Sequence, residues 1–284
     1  MRIEIIACLF ATSALTQPVS EVLARYDRVT AALSEPVETR WKRFGSVYFR
    51  TNERLLNRFY GRFENAGGVT VGVSFQQNFS LLVHARPELC VIFDINPAVT
   101  EILTPFVGEL MAHSPTRREF MSKLLAVEVD ATDIKRLLEG AADPSEAYAE
   151  LLKKTRSEER EWLRQDWRVT MGKILDRLPL EAGKRSAVLD WQNILDREEY
   201  PTGEFFRDAT LAYTLPAGLR DRQGMTGWLS TEENYQLVRK YWMDGRIVGV
   251  TGDIGGPSVA KLATWLRSSN RRVSVIYLSD VARL

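Results

Sequence analysis

Apolar residues at Val22, Leu23, Tyr26, Val29 and Leu33 recur at helical spacing, which predicts a surface helix within residues 19–44. The stretch SEPVETRWKRFG breaks that period and predicts a connector. SVYFRTNERLLNRFY predicts a short extended piece and then a helix, closed by Gly67 and Gly68 in the way glycine ends helices. A β-branched run from Val69 to Val73 predicts a strand, Gln77 to His84 a helix, and ELCVIFDI a second strand ending at Asp94. Strands that are apolar at nearly every position, with a helix between them, belong to a parallel sheet covered on both faces. Asn96-Pro97 then opens a helix carrying Val99, Ile102, Leu103 and Phe106 on one face, since proline suits a first helical turn.

Residues 114–225 follow a different pattern. Tyr148, Leu151, Leu152, Thr155, Trp162, Leu163, Trp167, Met171, Ile174 and Leu178 predict a long amphipathic helix between Pro144 and Pro179. The charges of KKTRSEER fall on its solvated face. The α/β pattern returns with a capping box, Ser230 with Glu233, opening a helix that turns Tyr235, Val238, Tyr241 and Trp242 inward. RIVGVTGD predicts a strand ending at Asp253. Gly255-Gly256-Pro257 then turns into a helix bearing Val259, Leu262, Ala263 and Leu266, and RVSVIYLSD is the last strand.

The expected organisation is an N-terminal helical segment (17–44), two parts of one α/β domain (45–113 and 226–284), and a helical insertion between them (114–225). That insertion would cover a pocket or form a dimer surface, and the pattern leaves both open. It leaves the oligomeric state open as well.

Composition narrows the function classes. There are 38 Lys and Arg against 37 Asp and Glu, so no global field draws the chain to nucleic acid or to an anionic membrane. The basic turn SSNRRVS is too small for a nucleic-acid surface. Cys8 and Cys90 form neither a disulfide framework nor a metal knuckle, and His84 and His113 lie far apart on helical stretches, so no metal site is expected. Trp162, Trp167, Trp242 and Trp265 read as core, and DREEY (196–200) as a solvated loop. The opening residues MRIEIIACLFATSALTQPVS are too short to span a bilayer. Residues 1–16 suit a secretory signal, with a helix packed on the core as the alternative. The protein is thus exported, to a periplasm for instance, if that segment is a signal, and cytoplasmic otherwise.

In open α/β sheets, ligands bind beyond the carboxyl ends of the strands. Three candidate groups share that edge: the turn from Gly72 to Asn78, Asp94 and Asp253. Asp94 lies 22 positions after Gly72, near the spacing at which an acidic residue meets a ribose diol. A carboxylate there accepts from hydroxyls and repels phosphate, which favours a small-molecule nucleoside ligand. Asp94 equally fits the role of a helix cap before Pro97. The spacing does not choose between them.

VTVGVSFQQNFSLLVHARPELCVIFDI resembles the segment G-V-G-x-x-Q-N-[FY]-[ST]-x-[IL] followed by A-x-x-[RK]-P-x-x-A-[FV]-[IV]-x-D of an uncharacterised bacterial family with a class I methyltransferase-like fold. The similarity continues through HSPTRREFMSKLL and resumes over LSTEENYQLVRKYWMDGRIVGVTGDIGGPSVAKLATWLRSSNRRVSVIYLSDV, about half the chain in the same order. The resemblance implies a Rossmann-like, S-adenosylmethionine-dependent methyltransferase-type sheet of seven strands, of which four are legible. By position it implies that Gly72, Ser74, Gln77 and Asn78 form the cofactor turn. It likewise makes Asp94 the ribose acid and Asp253 a contact to adenine or substrate. It supplies no catalytic residue. Ser74 stands where the family has the second glycine, Phe75 would block or line the pocket, and Asp280 replaces an asparagine. S-adenosylmethionine is a cytosolic metabolite, so an exported protein would lack its donor. The rival expectation is a non-catalytic binding or interaction protein on the same scaffold.

Overall fold

The computed structural model describes residues 21–37, 57–125, 127–138, 151, 157–180, 182 and 227–278. Four strands, β1 (Val69–Val73), β2 (Leu89–Asp94), β3 (Ile247–Thr251) and β4 (Val273–Tyr277), form one all-parallel sheet in the order β3-β2-β1-β4. β2 and β3 are buried at every position, which explains their nearly continuous apolar sequence. The chain moves outward from β1 through β2 to β3, then returns to the other side of β1 as β4. β1 is therefore where the strand order reverses, and a sheet of this kind opens its ligand crevice at the carboxyl end of such a strand. The order is consistent with a Rossmann-like α/β fold.

One face of the sheet, with Cys90, Ile92 and Ile247, packs against α3 (Gln77–Ala85) and the helices of the long β2–β3 connection. Burial pushes the Cys90 thiol up to about 12, so it stays protonated through the physiological range. α3 ends where Arg86 turns left-handed, its N–H reaching back to Leu82 O, ahead of Pro87. After β2 the chain enters a π-helical segment, Ala98–Leu103, which continues as α4 (Thr104–Ala112). Pro105 has no N–H to return to the carbonyl four residues back, and the turn before it widens. Thr104 donates both its N–H and, at 2.8 Å, its hydroxyl to Val99 O.

α5 (Arg117–Leu125), α6 (Ala131–Leu138) and α7 (Ser157–Asp176) follow. Phe120, Met121, Ile134, Met171, Ile174 and Leu175 share one core with Phe79 and Ile92, so the described part of the helical middle is built onto the sheet domain. α7 is the described portion of the long helix expected before Pro179 and stops at Asp176. Tyr148, Leu152 and Thr155, and the side chains of Trp162, Leu163 and Trp167, lie outside the described residues, as do residues 1–16, DREEY and Asp280.

α8 (Glu232–Met243) buries Tyr235, Val238, Tyr241 and Trp242 as its spacing predicts. Its cap is displaced by one residue from the expected Ser230–Glu233 box. Thr231 Oγ1 accepts from Asn234 N at 3.0 Å, while Ser230 Oγ donates to Gly227 O. Gly67 and Gly68 do not close a helix directly. α2 (Asn57–Tyr60) is short, and the two glycines, both at positive φ, carry a later turn into β1. On α4, a Cβ at Gly108 would overlap the Trp242 indole of α8. Gly108→Ala is expected to cost about 2 kcal/mol through overpacking, read as a lower urea midpoint at unchanged m-value.

The other face, with Val69, Leu89, Val91, Phe93, Val248 and Val250, packs on Leu33 of α1 (Glu21–Leu33) and on α9 (Pro257–Ser268). α9 buries Leu262 and Leu266, while Val259 and Ala263, apolar at the same helical spacing, are exposed. That exposure reflects the part of the sheet that α9 leaves uncovered. Among the described residues, no helix is long and apolar enough to cross a membrane.

Candidate functional site

The turn after β1 passes from strand to helix in three residues, Ser74 to Gln76, and a passage that short strands carbonyl oxygens. Two amides from the first turn of α3 collect them. Asn78 Nδ2 lies 3.3, 3.2, 3.0 and 3.2 Å from the carbonyls of Gly72, Val73, Ser74 and Phe75, two protons shared among four acceptors. Gln77 Nε2 donates to Val73 O at 2.6 Å. The Asn78 amide lies directly over Gly72. A Cβ there would collide with Asn78 Oδ1 and stand 2.9 Å from its Cγ. The glycine's open side is thus filled by this chain's own asparagine.

Asp94, at the tip of β2, completes the turn. Its Oδ2 accepts Ser74 N at 2.8 Å and its Oδ1 accepts Asn96 N at 2.7 Å, with the residue only 4% exposed. The cap of the following helix passes down a relay, Asn96 Oδ1 accepting Ala98 N at 3.0 Å. Asp94 thus supports the helix start through Asn96 and ties the ends of β1 and β2 together.

Ser74 is left-handed, at φ 68°, and buried, and its Oγ has no hydrogen-bond partner among the described residues. A non-glycine residue in that region costs about 1 kcal/mol, so Ser74→Gly is expected to stabilise the fold by about that amount, measured by urea unfolding. Phe75 neither blocks nor lines an open pocket. It lies in the core, edge-to-face with Phe79 at 5.5 Å between ring centroids.

Gly72, Ser74, Gln77, Asn78 and Asp94 therefore converge on one turn. Asp253 stands apart from them, past the end of β3 on the far side of β2. It is exposed, its N–H donates to Glu35 Oε1 at 2.9 Å, and its Oδ1 accepts Gly255 N at 2.9 Å. That end of the sheet holds a polar group the sequence pattern does not single out. Thr251 N donates to Ser34 Oγ at 2.9 Å, and Thr251 Oγ1 to Glu101 Oε1 at 3.1 Å. The Tyr26 hydroxyl donates to Thr100 O, and burial raises its ionisation well above the ordinary tyrosine range. Ser34 fastens the end of α1 to β3, while Tyr26 and Thr251 tie α1 and β3 to the π-helical segment. The available signals were a charged Glu101 inside an apolar run and a helix pattern broken at Ser34-Glu35.

His84 and His113 take surface roles. His84 stacks on Tyr60 and meets Glu64 at 3.1 Å, and His113 ends α4 near Glu109. Among the described residues no three His, Cys, Asp or Glu side chains gather closely enough to hold a metal ion.

A nucleoside cofactor at this edge needs an accessible carboxylate for its ribose and an open approach over the glycine. Here both oxygens of the Asp94 carboxylate already accept backbone N–H groups, and Asn78 occupies the approach. In this arrangement the residues do not fit S-adenosylmethionine.

Fold and site together define an α/β protein with a four-stranded parallel sheet, in which Asn78 fills the space over Gly72 at the β1 turn. Residues 48–188 and 191–282 match the family described as "Domain of unknown function (DUF7790)", and the chain belongs to that family. No curated protein matches it.

Proposed function

We propose that this chain is a non-catalytic binding or interaction protein on a Rossmann-like scaffold, with no S-adenosylmethionine chemistry at the β1 turn. The observation that carries this reading is the Asn78 amide seated over Gly72, held by the carbonyls around it. A cofactor could reach the glycine backbone only by breaking those contacts and displacing a buried side chain. The Asp94 carboxylate adds to this, because a ribose diol would have to compete with two short bonds from Ser74 and Asn96.

A second reading, an S-adenosylmethionine-dependent methyltransferase of unknown acceptor, is favoured by the strand order, by an acidic residue at the tip of β2, and by the motif resemblance around Gly72. On that reading Gly72, Ser74, Gln77, Asn78 and Asp94 would bind the cofactor in a rearranged turn, with Asp253 at its margin. Calorimetric titration of the purified chain with S-adenosylmethionine and S-adenosylhomocysteine separates the two. The binding-protein reading expects no saturable heat and no thermal stabilisation at millimolar ligand. Saturable heat would move the assignment to the methyltransferase reading.

A further inference from the structure

On the α9 face of the sheet, an apolar cavity of about 270 Å³ lies beside β1 and β4. Val259, Leu262, Ala263 and Leu266, the apolar stripe of α9, all line it. Leu262 and Leu266 are buried while Val259 and Ala263 are exposed, so the cavity runs from the core beneath α9 out to the surface. Along β4 it extends from Val273 to Tyr277, about 13 Å at the rise of a parallel strand. It reaches the carboxyl edge of the sheet at Val73 and Phe93, on the face opposite α3 and the turn that Asn78 fills.

We propose that this cavity binds the uncharged hydrocarbon chain of a small lipophilic molecule, about ten carbon atoms long.

The chemistry of the wall selects this occupant. Among the described residues that line the cavity none is charged, and only Tyr277 has a polar side chain. A charged or hydrogen-bonding ligand group placed against that wall would give up water without gaining a partner. Phosphate, nucleoside and peptide groups therefore match it poorly, and a neutral hydrocarbon matches it well. Size sets the length. An apolar cavity of about 150 Å³ takes benzene, so one of about 270 Å³ takes roughly ten carbon atoms. Its extension along β4 suits a chain better than a compact ring system, with any polar end left in solvent beside Val259 and Ile276, which is 61% exposed. Position agrees with this. Ligands of open parallel sheets enter at the carboxyl edge where the strand order reverses, and β1, the strand of reversal, contributes Val73 to the cavity.

This inference gives the binding-protein reading a ligand class and rests on that reading only in that respect. A chain that takes S-adenosylmethionine would overturn the reading and leave the cavity as it is, whereas a chain that takes neither ligand would overturn only this proposal. The probe is decan-1-ol, titrated calorimetrically into the full chain. Expected is saturable binding of one molecule per chain, at least tenfold weaker for hexan-1-ol, because four methylene groups of contact are lost. Ala263→Phe fills the cavity from an exposed position, and Val259→Lys brings a charge to its wall. Each should weaken decan-1-ol binding at least tenfold with the thermal midpoint retained. Ala260→Phe, an exposed position of α9 outside the described lining, should leave binding unchanged. No saturable binding to the unmodified chain overturns the proposal. Equal binding by the Ala263→Phe variant overturns it too, since it would mean adsorption elsewhere, and so does a comparable loss in Ala260→Phe. A dimer that Ile276→Lys dissociates in sedimentation would assign the cavity to a second copy and overturn the hydrocarbon assignment.

Discussion

Gly72→Ala is expected to destabilise the protein by about 3 kcal/mol, combining overpacking with disturbed turn hydrogen bonds. The cause is contact, because Gly72 is not among the glycines at positive φ and alanine would accept its backbone conformation. The added methyl would instead displace the Asn78 amide, and with it the donor shared by four carbonyls. A double-mutant cycle tests this in urea. Asn78→Ala alone should also cost about 2 kcal/mol, and the pair should fall short of the sum by at least about 1 kcal/mol, since the methyl then enters vacated space. Strict additivity would mean that Gly72 and Asn78 are not packed as described.

Asp94→Ala carries the second large effect, a loss of about 3 kcal/mol. It leaves the N–H groups of Ser74 and Asn96 buried without their acceptor, and each such group costs about 1–3 kcal/mol. Asp94→Asn should cost less, because its amide oxygen can still accept one of the two bonds. Thermal melts of both variants check the order. The result also governs how ligand experiments are read. Lost binding in Asp94→Ala points to a ribose contact only if the melting temperature is retained, because the same substitution loosens the turn itself.

Much of the architecture was legible in the residue pattern. Val69–Val73 and the run ending at Asp94 read as parallel strands because nearly every position is apolar or β-branched, and both are strands with those bounds. α3 and α8 were legible from their apolar spacing, and α3 also from the Pro87 that follows it. The misplacements were local. The α8 cap moved from Ser230 to Thr231 because both hydroxyls suit the position, and only the backbone geometry decides which side chain meets the free N–H groups. Helical spacing groups Val259 and Ala263 with Leu262 and Leu266, but it does not tell which of them find a neighbour, and beside Val259 and Ala263 a groove stays open.

By itself, then, the sequence determined the strands, the helices between them and the convergence of Gly72, Ser74, Gln77, Asn78 and Asp94 on one turn. These follow from local periodicity and from adjacency along the chain, which any short stretch carries within itself. Only the tertiary structure decided what those residues do there. Whether a glycine's open side receives a ligand or a neighbouring amide, and whether a carboxylate faces solvent or two backbone N–H groups, depends on side chains converging from separate strands and helices. The same holds for the polar group that joins Ser34, Thr251 and Glu101 across more than a hundred residues of chain. Pairing and exposure of this kind arise when the sheet assembles, and no single stretch of residues encodes them.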